Sequence, residues 1–167
     1  MISRTEIFNN LKSLDVKYRK TSSSKDTLFF SKLALLELCG WIEESMDDIV
    51  LRCANRKLKE SQNKKFVIDG VTGPVYGFEY KKHFRKMLIQ LIGIINVERL
   101  EIKVDALKRD SLKSELGNLK EMRNKMAHTH IKGITTHIDS PSITIRRFNV
   151  VYDGLKDFEL IIRGMKL

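Results

Sequence analysis

Apolar residues recur every three to four positions along most of the chain, the spacing that gives a helix one buried face. Ser3-Arg4-Thr5-Glu6 has capping-box spacing ahead of Ile7, Leu11 and Leu14 and predicts a short first helix over roughly 3–19. The polar stretch "TSSSKD" interrupts the pattern. The longest periodic segment follows over about 25–61, where Leu28, Leu35, Leu38, Cys39, Ile42, Met46, Ile49, Val50 and Cys53 keep helical spacing. Gly70, Gly73, Pro74 and Gly77 then mark a loop or short hairpin near 65–78. Helical spacing resumes through Phe84, Leu88, Leu91, Ile92 and Ile95 and is read as ending near Asn96. "RLEIKV" alternates like a strand but is short, so helix and strand both stay open there. A further helix is predicted over about 106–129, a loop with Gly133 and Pro141 after it, and a last helix over about 141–165 with Phe148, Val151, Leu155, Phe158 and Ile162 inward. The expected fold is an all-α bundle of about five helices, a single domain over 1–167.

Composition adds little to the fold but narrows the partners. The chain has 167 residues, 42% hydrophobic and 31% charged, which suits a globular domain with a real core. Its net charge of +10 favours nucleic acid or an anionic surface as a partner, although a basic protein with no such partner has the same balance. Cys39 and Cys53 lie in one helical pattern without a CxxC pair and read as reduced core thiols. The N-terminus is polar, and the longest apolar run, "MLIQLIGII", is too short to span a bilayer. A cytoplasmic protein without a membrane partner is expected.

Candidate chemistry concentrates in "EMRNKMAHTH", Glu121 to His130. On a helical wheel Leu112, Leu116, Leu119, Met122 and Met126 form one apolar arc, and Arg123 falls inside it. A guanidinium there must be paired or face a cleft. Asn124 and His128 are four residues apart and share a neighbouring face. One cation, one amide and one imidazole would suit RNA cleavage by its own 2′-hydroxyl. Histidine can move the protons, a guanidinium can stabilise the phosphorane, and no metal or other cofactor is needed. One histidine is poorly placed to be acid and base at once, so two copies across a two-fold are a natural arrangement. The residues alone favour a plainer account: a core-edge arginine paired to an acid, a histidine at a helix C-terminus and a surface asparagine.

"RNKMAH" resembles the Arg-x4-6-His signature of HEPN domains, in its form Arg-Asn-x-x-Ala-His. "KLALLELCGWIEES" is similar to the long helix that precedes the motif in the HEPN branch named for RiboL and PSP. The resemblance runs from Leu33 to about His130 and, loosely, over the last helix. It implies a dimerising helical bundle with two motifs facing each other, and metal-independent endoribonuclease activity of the kind found in toxin and anti-phage systems. Arg123 and His128 then match the catalytic pair, and Asn124 the polar residue after the arginine. Glu43 of Gly40-Trp41-Ile42-Glu43 matches the acid of the preceding helix, with Glu44 as its competitor. RNA, a second copy of the chain and an antitoxin or defence protein are the implied partners. The other reading within the family is a non-catalytic module that dimerises or docks on such a partner. In a related HEPN group a tyrosine two residues after the histidine is modified by a nucleotidyltransferase; His130 stands there in this chain, which argues against that regulation.

The remaining candidates are weaker. The four histidines lack ligand spacing for a metal. Glu43, Glu44, Asp47 and Asp48 read as a solvated face more readily than as a two-metal centre. The glycine segment lacks the GK[ST] ending of a phosphate loop. Basic residues from Arg52 to Lys65 and in "KKHFRK", Lys81 to Lys86, could track phosphates beside a cleft. Lys125 and His130, next to the motif, are candidate RNA contacts. Tyr76, Phe78 and Tyr80 either stack bases or anchor their loop.

Overall fold

The computed structural model describes residues 1–127, 131 and 137–167, and among these every regular element is helical. Helix α1 (Thr5–Lys20) packs on α2 (Ser24–Lys57), the longest element. Ser23 opens α2 as a true N-cap, its side chain accepting from the Asp26 N–H at 3.2 Å. Asp105 does the same for α6 (Ala106–Ala127), accepting from Lys108 at 2.9 Å. Pro141 occupies the first turn of α7 (Pro141–Gly164), where a missing N–H costs nothing.

Helices α1, α2, α6 and α7 form the main bundle, with α2 and α7 in contact with all the others. Ala34, Leu38, Ile42, Met46, Ile49 and Cys53 of α2 meet Leu112, Leu116 and Leu119 of α6 and Phe148, Val151, Leu155 and Phe158 of α7 in one buried cluster. Gly154 lets α6 and α7 approach closely: a Cβ there would stand 2.7 Å from Leu112 Cβ. Both cysteines are buried and unbridged.

Several expectations need correction. The capping box at Ser3 is not made: the residue before α1 is Arg4, with no side-chain cap, and the Ser3 carbonyl instead accepts the Trp41 indole N–H at 2.9 Å. The long helix stops at Lys57. The segment near 65–78 holds no hairpin: α3 (Ser61–Phe66) runs directly into a π-helical stretch, Val67–Thr72, whose Val67 and Val71 are buried. Residues 73–79 follow without regular structure, and a second π-helical stretch, Tyr80–Phe84, leads into α4 (Arg85–Ile92). The helix read through to Asn96 breaks at Gly93, whose φ of 78° is open to glycine and strained for other residues. "RLEIKV" is helical as far as Lys103, within α5 (Ile94–Lys103). Seven α-helices are therefore present among the described residues where about five were expected.

Candidate functional site

Arg123 sits in the last turns of α6, and α2 passes alongside. Its Nη2 donates to Glu43 Oε1 at 2.8 Å. Glu43 is thus the acid that takes this arginine; Glu44 is exposed and lines a cleft with Ser3, Glu6 and Trp41. The pair straddles the surface, with 31% of the Arg123 side chain and 37% of Glu43 exposed. The guanidinium carbon lies 5.5 Å from the centre of the buried Phe78 ring, within cation–π reach. Arg123 Nε is buried and finds no acceptor among the described residues. An arginine in the apolar arc is tolerated because a carboxylate takes one end, an aromatic ring lies within cation–π reach and part of the side chain reaches solvent.

Beneath the pair, burial pushes the Cys39 thiol up to about 12, with Arg123 pulling against it and Glu43 adding to it. That thiol is not a nucleophile near neutrality. One turn along α2 from Glu43, Asp47 is pushed up to about 6, first by burial and then by the charges of Glu43, Asp48 and Glu44. The acidic stretch is therefore not wholly the solvated face expected of it.

The segment before α4 closes the site on a third side. Phe78 lies under Arg123, and Glu79 takes Lys120, three residues before Arg123 on α6, at 3.2 Å. The Glu79 N–H donates to His83 Nδ1 at 2.9 Å, a side chain reaching back to the first backbone donor of its helix. His83 is within electrostatic reach of both Glu43 and Arg123. In the sequence His83 stands out only as a weak metal-ligand candidate and as part of the basic stretch "KKHFRK", with nothing that links it to Glu43 or Arg123. Its only sequence signal is a histidine just inside the helix that follows the glycine segment. Phe78 and Tyr80 anchor this segment in the core, while Tyr76 is 86% exposed and is the aromatic left able to meet a base.

Asn124 and Lys125 are exposed on the outer face of α6. Lys125 lines a cleft of about 220 Å³ with Met122, Met126, His137, Ile138 and Asp139. His128 and His130 lie outside the described residues. The basic run is partly engaged in the fold itself: Arg52 bonds Asp48 and the Met1 carbonyl, Lys57 the Met165 carbonyl and Arg85 Glu101, whereas Lys59, Lys65, Lys81 and Lys86 are exposed. Among the described residues no group of three or more histidine, cysteine or acidic side chains is placed to hold a metal ion, and no helix is long and apolar enough to cross a membrane.

Comparison with family models, with curated proteins and with solved structures returns no match to this chain. The functional reading therefore rests on the residues and their geometry.

Proposed function

We propose that the chain is a metal-independent endoribonuclease of HEPN type, acting as a homodimer whose two Arg123–His128 motifs share one cleft, in a toxin or anti-phage setting. The observation that carries this reading is the state of Arg123. It is fixed from two sides by Glu43 and Phe78, yet is part-exposed, and among the described residues a single hydrogen bond engages its five N–H donors. A guanidinium held in that way is ready to bind a phosphate in bidentate fashion.

In this reading a base removes the 2′-hydroxyl proton and the 2′-oxygen attacks phosphorus. The bond to the 5′-oxygen breaks and that oxygen takes a proton, leaving a cyclic phosphate and a 5′-hydroxyl. His128 of one protomer serves as base and the same residue of the other as acid, which is why the site needs two copies. Arg123 holds the phosphorane charge and Glu43 holds Arg123. Asn124, one residue on and exposed, orients the substrate or the imidazole, and Lys125 and His130 extend the phosphate contacts.

The test is cleavage of several classes of RNA by wild type and by His128→Ala, with chelator present. Wild type should cut RNA and leave DNA intact, since DNA lacks the 2′-hydroxyl. Undiminished cleavage by the variant would remove His128 from the mechanism. Intact RNA from wild type across all classes would leave the non-catalytic HEPN module as the reading.

A further inference from the structure

We infer that His83 is a catalytic residue of the Arg123 site, presenting a neutral Nε2–H as hydrogen-bond donor to the phosphate oxygens of the bound RNA. This rests on the ribonuclease reading above.

Four observations bring it to that role. The segment 77–83 is fastened to the site at two points, by Phe78 under the Arg123 guanidinium and by the Glu79–Lys120 ion pair. The Glu79 N–H occupies His83 Nδ1 at 2.9 Å, so the neutral ring must carry its hydrogen on Nε2. No hydrogen bond to Nε2 is found among the described residues, and the ring is only half-buried. Finally, Gly77 lies hard against the imidazole: its φ is 134°, and a Cβ there would stand 2.7 Å from Cε1 and 3.1 Å from Nε2. The ring is thus held by a backbone bond on one side and by bare backbone on another, more fixing than a surface histidine needs.

The electrostatics decide which role the ring plays. Burial lowers its pKa, and the charges of Lys82 and Arg123 add to that, while Glu79 and Glu43 oppose it. Protonation would also put a hydrogen on Nδ1 facing the Glu79 N–H. His83 is therefore neutral near pH 7, which makes it a poor general acid. With Nε2 protonated, its one basic lone pair is on Nδ1 and is engaged by the Glu79 N–H, so none is free to act as base. What remains is donation by a fixed, uncharged N–H to the charge that develops on the phosphorane. His83 gains and loses no proton in the cycle; the protons still pass through His128.

Two measurements test this. His83→Asn keeps an acceptor close to the Nδ1 position for the Glu79 N–H and removes the Nε2 donor. It should cut RNA roughly 10²-fold more slowly than wild type, as loss of one preorganised donor does, with both limbs of the pH profile unmoved. A wild-type rate would overturn the proposal, and so would the disappearance of one limb, which would mark His83 as acid or base. Independently of cleavage, the ¹⁵N resonance of His83 Nε2 in wild type should shift on adding a short mixed-sequence RNA whose 2′-hydroxyls are methylated. An unmoved resonance would overturn the proposal. If wild type cuts no RNA, the ribonuclease reading falls, and this titration alone decides whether His83 meets phosphate.

Discussion

Arg123 shows how much one residue type can decide. Its guanidinium bonds Glu43 through Nη2 and lies 5.5 Å from the Phe78 ring centre, a pair of contacts that a lysine ammonium reproduces poorly. Arg123→Lys should therefore lower RNA cleavage by about 10²-fold or more, the scale of a lost transition-state donor. Its thermal unfolding should stay near wild type, because the replaced group is part-exposed. A parallel loss of stability would recast the arginine as structural. Asp47 carries the opposite kind of signal. Its carboxyl is pushed up to about 6, above its unfolded value, so the folded chain holds that proton more tightly. The stability it contributes is complete below about pH 4 and is lost as pH rises through about 6. Asp47→Asn removes the ionisation. The variant should be more stable than wild type at pH 7 by on the order of 1 kcal/mol after allowance for solvent screening, and the gain should vanish near pH 4. Urea unfolding at the two pH values checks this; an equal gain at both would place the cause elsewhere than in the charge.

At the scale of elements, a pair of glycines separates close packing from free surface. Gly154 faces Leu112 Cβ, an atom that cannot rotate away, whereas a Cβ at Gly117 on α6 would meet nothing within 4 Å. Both are helical, so alanine removes the same backbone freedom, worth ~1 kcal/mol. Gly117→Ala should keep that gain. At Gly154 overpacking of about 1–3 kcal/mol should exceed it, so Gly154→Ala should melt below wild type and Gly117→Ala above. The same distinction explains what the sequence made legible. Helices α1, α2, α6 and α7 are visible because their buried residues repeat at three and four along one unbroken element. Around Gly93 the apolar spacing of α4 and α5 blends into one apparent helix, and only the backbone angle separates them. In "RLEIKV" the alternation of Leu100, Ile102 and Val104 imitates a strand, yet Ile102 is 74% exposed and the buried set is Val97, Leu100 and Val104, at helical spacing. Of the glycines that mark a loop, Gly73 and Gly77 do lie in irregular backbone, whereas Gly70 sits inside a π-helical stretch. The site divides in the same way. Arg123 shows as a misfit in its own helix, and the resemblance offered two acids for it. Phe78 and His83 reach it only through tertiary packing, which leaves no periodic trace.

For the whole molecule, charge and assembly pull in opposite directions, and this makes the dimeric reading testable. Each protomer carries a net charge of +10. Two of them brought together repel, and added salt screens that repulsion. RNA binding depends on salt with the other sign, since phosphate contacts release counterions and weaken as salt rises. Cleavage that needs both protomers should therefore show two separable dependences. At low RNA and ample protein, rising salt should slow cleavage through a higher KM, with kcat nearly constant. At saturating RNA and low protein, cleavage per protomer should fall as the protein is diluted, and moderate salt should restore part of it by holding the dimer together. Sedimentation velocity without RNA should show the matching shift from monomer towards dimer with concentration and with salt. A cleavage rate per protomer that stays constant on dilution below the dissociation range would show that one chain holds a complete site. His83 would then be a second imidazole within electrostatic reach of Arg123, although its engaged Nδ1 leaves it suited to donation rather than proton transfer.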